Sequence, residues 1–252
     1  MILKQIEKGE IFMRIDGRNN NDLRETIIET NTMQFCDGSA VISTGYTKVL
    51  CTASIETRVP PFLIGQNKGW ITAEYSMLPG STTPRSSRGN QKKGRSQEIQ
   101  RLIGRSLRAS FDLSLIGERT ITVDCDVLQA DGGTRTAAIT GGYVALRIAV
   151  DNMIKHGLIS GDIPPANIAA TSVGIINGSV LLDLCYEEDS KADADFNIVK
   201  TRDNMFIEIQ GSAEGKKFSR ESIDNVLDTA SQGIAELFEI QDEALKASED
   251  TI

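Results

Sequence analysis

Only one histidine, His156, occurs in 252 residues. A histidine-rich zinc site is therefore excluded, and any Ser-His-Asp or Cys-His catalytic site would have to use that ring. Four cysteines (Cys36, Cys51, Cys125 and Cys185) lie far apart, with no CxxC pair and no Cys/His cluster. They read as buried, reduced thiols. No apolar run approaches the roughly 18 residues a membrane span needs. The opening MILKQIEKGEIFM carries Lys4, Glu7, Lys8 and Glu10 where a signal peptide needs an unbroken apolar stretch. The expectation is a soluble, cytoplasmic chain with no membrane partner. Net positive charge is also lacking: the formal balance of −8 argues against a nucleic-acid partner. What is present, 40% hydrophobic and 25% charged residues, suits a folded chain long enough for one large domain or two small ones.

The average charge conceals an asymmetry. Residues 85–108 hold eight basic side chains (Arg85, Arg88, Lys92, Lys93, Arg95, Arg101, Arg105, Arg108) against one acid, Glu98. The stretch reads either as a local anion site on an acidic body or as a charged loop followed by a solvated helix face.

The hydropathy pattern alternates between periods of two and 3.6. Residues 39–56 predict a hairpin turning at Thr44-Gly45, and Trp70 to Met77 a further strand. The polar run 80–94 predicts a loop, after which a helix begins at Arg95 with Ile99, Leu102, Ile103 and Leu107 on one face. Residues 120–129 alternate strictly, and a helix follows Asp131-Gly132-Gly133, ending near Gly157. Asn177-Gly178 predicts a second hairpin whose return strand runs through SVLLDLCYEED. Two more strands, DFNIVKT and MFIEIQG, precede a final long helix. Strands joined by hairpins with few helical crossovers predict an α+β fold. Residues 1–12 read as an N-terminal extension and 13–252 as a single domain, with similar halves at roughly 13–160 and 166–248.

Four segments carry chemistry. In Asp131-Gly132-Gly133-Thr134-Arg135-Thr136, two glycines allow a tight turn and the helix start offers unpaired N–H groups with partial positive charge. With Arg135 they make a phosphate-sized anion site; the alternative is an ordinary helix capped by Thr134 or Thr136. Gly94-Arg95-Ser96 opens the preceding helix as a second anion site. Gly89 to Ser96 also resembles a nucleotide-binding GxxxxGK[ST] loop, but that motif needs a buried strand directly before it. Between Glu187 and Asp195, five carboxylates stand in nine residues. Such hard oxygens suit Mg²⁺, or else a solvated acidic turn; Asp195, opening an apolar strand, is the member least expected to be merely solubilising. Arg58-Val-Pro-Pro-Phe62 either presents a cation and a ring to RNA or packs Phe62 into the core.

These residues fall into long motifs. Arg14-x-Asp-Gly-Arg18, Arg58-Val-Pro-Pro-Phe62, Lys68 to Pro79, Glu98 to Arg105, Asp124 to Thr136, and Asp183 to Asp189 with Asp195 resemble the bacterial ribonuclease PH family, in order, from residue 13 to about 245. The resemblance implies the ribonuclease PH fold, mixed β-sheets flanked by helices. It implies a phosphate-dependent 3′→5′ exoribonuclease and reversible nucleotidyltransferase that trims the 3′ ends of tRNA precursors and other RNAs and releases nucleoside 5′-diphosphates. It also implies a ring-shaped homohexamer. Inorganic phosphate would be the co-substrate, held by Arg95, Gly133, Thr134 and Arg135. Asp189 and Asp195 would be the catalytic carboxylates and the ligands of Mg²⁺. Arg58, Arg85, Arg88, Lys92 and Lys93 would bind RNA. A non-catalytic ring subunit and a hydrolytic Mg²⁺ nuclease are the rival readings.

Overall fold

The computed structural model describes residues 14–88, 94–159 and 167–249. The expected extension at 1–12, together with Lys92 and Lys93, lies outside the described residues.

β2 (Gly38–Thr44) and β3 (Thr47–Glu56) form the first hairpin, turning at Gly45, whose φ of +54° is the left-handed conformation glycine adopts without strain. β5 (Thr120–Gln129) pairs antiparallel with β3 on one edge and parallel with β4 (Trp70–Met77) on the other. A parallel pair needs a crossover, which α1 (Gly94–Arg108) supplies. With β1 (Thr26–Thr30) the first sheet runs β1-β2-β3-β5-β4. The second is wholly antiparallel: β6 (Ile168–Ile176), β7 (Ser179–Leu182), β8 (Ala194–Thr201) and β9 (Phe206–Ala213), in the order β7-β6-β8-β9.

α2 (Thr134–Lys155) contacts β2, β3 and β5 of the first sheet and β6 of the second, which is why it is apolar on nearly every side. α4 (Arg220–Glu249) packs on β6, β7 and β8 and reaches β1. The main core draws on both halves, joining Ile121 and Leu146 to Ile168, Val199 and Ala244. The architecture is the expected α+β arrangement of mixed sheets and helices.

Three expectations need correction. β1 escaped the pattern because it is a short edge strand with only Ile28 buried. The return strand of the second hairpin stops at Leu182. Asp183 takes φ +51°, its carboxylate is claimed by Arg24, and the chain turns into α3 (Tyr186–Asp189). The acidic run therefore begins as a helical turn. Finally, Cys51 and Cys125, partners across β3 and β5, are buried thiols as expected, whereas Cys36 and Cys185 are partly exposed.

Candidate functional site

The Gly132-Gly133 turn joins the end of β5 to the start of α2, and both glycines have positive φ, +72° and +65°. A Cβ on Gly132 would stand 2.5 Å from the Leu184 carbonyl oxygen, so the glycine lets this turn touch the entrance to α3. The Thr47 hydroxyl fixes the turn, accepting from the Asp131 N–H at 2.9 Å and donating to the Gly132 carbonyl at 2.6 Å. Asp131 Oδ1 in turn accepts from the Tyr186 N–H at the first residue of α3. Two distant segments are thereby locked together.

Beneath them lies an ionic layer. Arg24 donates to both Asp183 carboxylate oxygens, at 2.9 and 2.7 Å, and also to the Asp131 carbonyl. Arg14 donates to both oxygens of Glu188, at 2.8 and 2.7 Å, and to the Asp183 carbonyl. Arg18 also donates to that carbonyl. Glu188 also accepts from the Cys185 N–H while its own N–H is turned toward Cys185, a capping box with cysteine in the cap position. Bidentate arginine pairs of this kind fix direction as well as charge.

Charged side chains from α1, α2 and β8 act on Asp189 of α3. Gly133 caps α2 through its backbone alone, and among the described residues no side chain caps the first-turn N–H groups; Thr136 donates to the Gly133 carbonyl instead. The ordinary threonine cap is thus ruled out. Thr134 Oγ1 lies 2.8 Å from the hydroxyl of Tyr75 on β4. Burial pushes the Tyr75 hydroxyl upward in pKa, opposed by that hydrogen bond and by the charges of Arg135 and Arg95. Burial raises the Asp189 carboxyl too, and the Asp195 charge adds to the shift, while Arg135 and Arg95 oppose it. Glu214 raises it further. Arg95 and Arg135, from the first turns of different helices, therefore act on the same carboxylate and the same phenol. Across the β8–β9 ladder Ser212 donates to Asp195 Oδ1 at 2.9 Å.

The structure thus brings together Arg95, Gly133, Thr134, Arg135, Asp189 and Asp195. It divides the expected RNA-binding set. Arg85 and Arg88 are exposed on the segment leaving β4, which is pinned beside the end of β5 by the Ala130 N–H on the Ser81 carbonyl. Arg58 lies at the opposite end of that strand: its carbonyl accepts from Thr120 Oγ1 and its side chain pairs with Glu56. The ten residues of β5 separate the two ends by ~30 Å, at about 3.3 Å per residue. Phe62 is not packed into the core; it remains 60% exposed, edge-on to Trp70. No strand occurs in residues 78–88, so the nucleotide-loop reading of Gly89 to Ser96 lacks its required strand. His156 ends α2 with its ring nitrogen 2.8 Å from the Asn152 carbonyl, as a helix terminus explains.

Sequence reasoning missed Tyr75, Gln210 and Ser212. Tyr75 alternates with Ala73 and Ile71 and reads as core, while Gln210 and Ser212 read as the solvent face of an edge strand. Arg14, Arg18 and Asp183 stand in the motifs without a role of their own, because their partners lie more than 150 positions away.

The mixed-sheet α+β fold is that of the 3′ exoribonuclease family. Residues 22–150 match domain 1 of that family and residues 166–233 match domain 2. Ribonuclease PH of Crocosphaera subtropica is 54% identical over 235 residues, covering 93% of this chain and 98% of that protein. Ribonuclease PH of Bacillus cereus is 51% identical over 237 residues, covering 92% and 97%. The fold is shared with the Archaeoglobus fulgidus exosome with RNA bound to the active site (TM-score 0.76, 23% identity, 90% of this chain and 92% of that one). Rice Rrp46 is similar to the same degree (TM-score 0.75, 20% identity, 92% and 100%). The chain belongs to the ribonuclease PH family, the phosphate-dependent 3′→5′ exoribonucleases of tRNA 3′-end processing.

Proposed function

We propose that this chain performs its phosphorolysis in the cradle formed by Arg95, Arg135 and the first-turn N–H groups of α2, with Asp189 and Asp195 facing it. The observation that carries the reading is the convergence of two arginines, from separate helices, on Asp189 beside a helix start that no side chain of the described residues caps. Phosphate there is held by charge and by N–H donors together.

A phosphate oxygen attacks the phosphorus of the last phosphodiester, the bond to the penultimate 3′-oxygen breaks, and a nucleoside 5′-diphosphate leaves an RNA one residue shorter. Positioning and charge neutralisation dominate such transfers. The departing 3′-oxygen needs a proton. Asp189, held toward its protonated form by burial and by Asp195, is placed to give it. Ser212 keeps Asp195 oriented.

Among the described residues no group of three or more His, Cys, Asp or Glu is arranged to hold a metal ion. Asp189 and Asp195 nevertheless fit Mg²⁺, which uses one or two carboxylates and retains its waters; their mutual repulsion is what a cation relieves. Bound there, Mg²⁺ would supply Lewis-acid stabilisation of the leaving oxygen.

Arg85 and Arg88, with Lys92 and Lys93, would follow the RNA backbone without reading sequence. On the same reading the enzyme works in the cytoplasm as a homohexameric ring, for which the exposed Phe35, Tyr46 and Ile64 of the single chain offer apolar contact area. Product analysis tests the function: nucleoside diphosphates only when phosphate is supplied support it. Monophosphates without phosphate would mean hydrolysis, and no product a non-catalytic subunit.

A further inference from the structure

Between the two cationic helix starts stands a residue outside the reacting groups. Gln210 on β9 accepts a hydrogen bond from Arg135 Nη1 at 2.8 Å and donates from Nε2 to Glu98 Oε1, also at 2.8 Å. The polarity of this relay is forced. A guanidinium can only donate and a carboxylate only accept, so the amide must face Arg135 with its oxygen and Glu98 with its nitrogen. Glu98 lies three residues after Arg95 in the first turns of α1, and Arg135 is the second residue of α2. One side chain from the second sheet therefore spans the two helices that carry the arginines.

Its neighbours on β9 extend the pattern. Glu208, Gln210 and Ser212 share a face because side chains alternate along a strand. They engage Arg105 of α1, the Glu98–Arg135 relay and Asp195 respectively. A single strand face thus registers α1, α2 and the carboxylates against one another.

We propose that Gln210 is a positioning residue for phosphate: it sets the direction of the Arg135 guanidinium and its distance from Arg95, and so governs phosphate affinity without touching the reacting atoms. The inference rests on the assignment of phosphate to Arg135. An acceptor alone at position 210 does not suffice, because Gln210→Glu would hold Arg135 more tightly and repel Glu98. The exchange Gln210→Glu with Glu98→Gln restores a matched donor and acceptor between the two positions, with the direction of that bond reversed, and restores the total charge.

The test is steady-state phosphorolysis of a 3′-tailed RNA with inorganic phosphate varied, using the full chain. Alongside it run RNA gel shifts, thermal melts and Arg135→Ala as the reference variant. Gln210→Leu and Gln210→Glu are each expected to raise the KM for phosphate about tenfold or more, with kcat changed far less and RNA affinity retained. The double exchange is expected to return the KM to within about threefold of the parent. A role confined to stability would lower the melting temperature and leave the phosphate KM alone. If Arg135→Ala raises the phosphate KM while the Gln210 variants do not, or if the double exchange fails to restore it, the positioning role is wrong. If Arg135→Ala itself leaves the phosphate KM unchanged, the phosphate assignment falls, and this inference with it.

Discussion

Arg14 grips Glu188 through two hydrogen bonds of 2.8 and 2.7 Å, with the two side chains 0% and 1% exposed. They stand 174 positions apart in the chain, and the pair fixes the residue next to Asp189. Removing one member of such a buried pair strands the other charge, so Arg14→Ala is expected to cost about 3–5 kcal/mol of stability. Denaturant midpoints would measure it, and an unchanged midpoint would show the pair to be dispensable.

The same ion pair predicts acid sensitivity. Burial disfavours the charged Glu188, but the Arg14 hydrogen bonds and charge, with the Cys185 N–H and Arg18, hold its pKa below the ordinary 4.5. A carboxyl lowered by folding contributes stability fully above its unfolded value and loses it as pH falls through the folded one. Melting temperature should therefore drop on acidification below about pH 4.5. In Glu188→Gln it should be lower throughout but flatter across that window.

Gly132 admits no side chain. Alanine there would carry the left-handed strain of about 1–3 kcal/mol and also meet the Leu184 carbonyl. Turnover of Gly132→Ala is expected to fall more than its stability alone explains, since α3 and Asp189 must move away from Arg135. Activity at full occupancy of the folded state is the discriminating measurement.

Arg135→Ala should remove a charge-assisted phosphate interaction that contributes on the order of 2–4 kcal/mol in the transition state. Its kcat/KM at subsaturating phosphate reads this directly.

Asp195→Asn should collapse turnover by roughly 100-fold or more while RNA gel shifts stay nearly intact. It also removes the charge that helps raise Asp189. The Asp189 pKa then falls, and a proton donor is lost at lower pH. The residual activity should accordingly decline earlier as pH rises; a pH–rate profile identical in shape to the parent would deny Asp189 that role.

Neutralising Arg85, Arg88, Lys92 and Lys93 should flatten the dependence of RNA affinity on salt by about one slope unit for each phosphate that is no longer neutralised. Arg58→Ala, at the far end of β5, should leave the phosphate KM unaltered.

Much of the fold was legible because burial imposes its period on the chain. β5 alternates Ile121, Val123, Cys125 and Val127 inward, and α1 places Ile99, Leu102, Ile103 and Leu107 on its buried face. The Gly-Gly turn before α2 was equally plain, since a helix start after two glycines has few other readings. α3 was hidden because cysteine is not a residue expected at a helix cap, and because Asp183 ends β7 only in response to Arg24. Gln210 carries no local signal at all: an amide on an edge strand looks like any solvated residue until Arg135 and Glu98 are folded against it.

By itself, then, the amino-acid order indicated most of the elements, the α+β class and the candidate residues for holding an anion or sharing a proton, all of which depend on near neighbours and on hydrophobic period. Tertiary structure alone decided which of those groups meet. Asp189 is raised by Asp195 and restrained by Arg95 and Arg135 only because two sheets, packed on one apolar helix, bring charges from four separate segments within range of one another. Electrostatic interaction falls with distance in space, and distance along the chain says nothing about it.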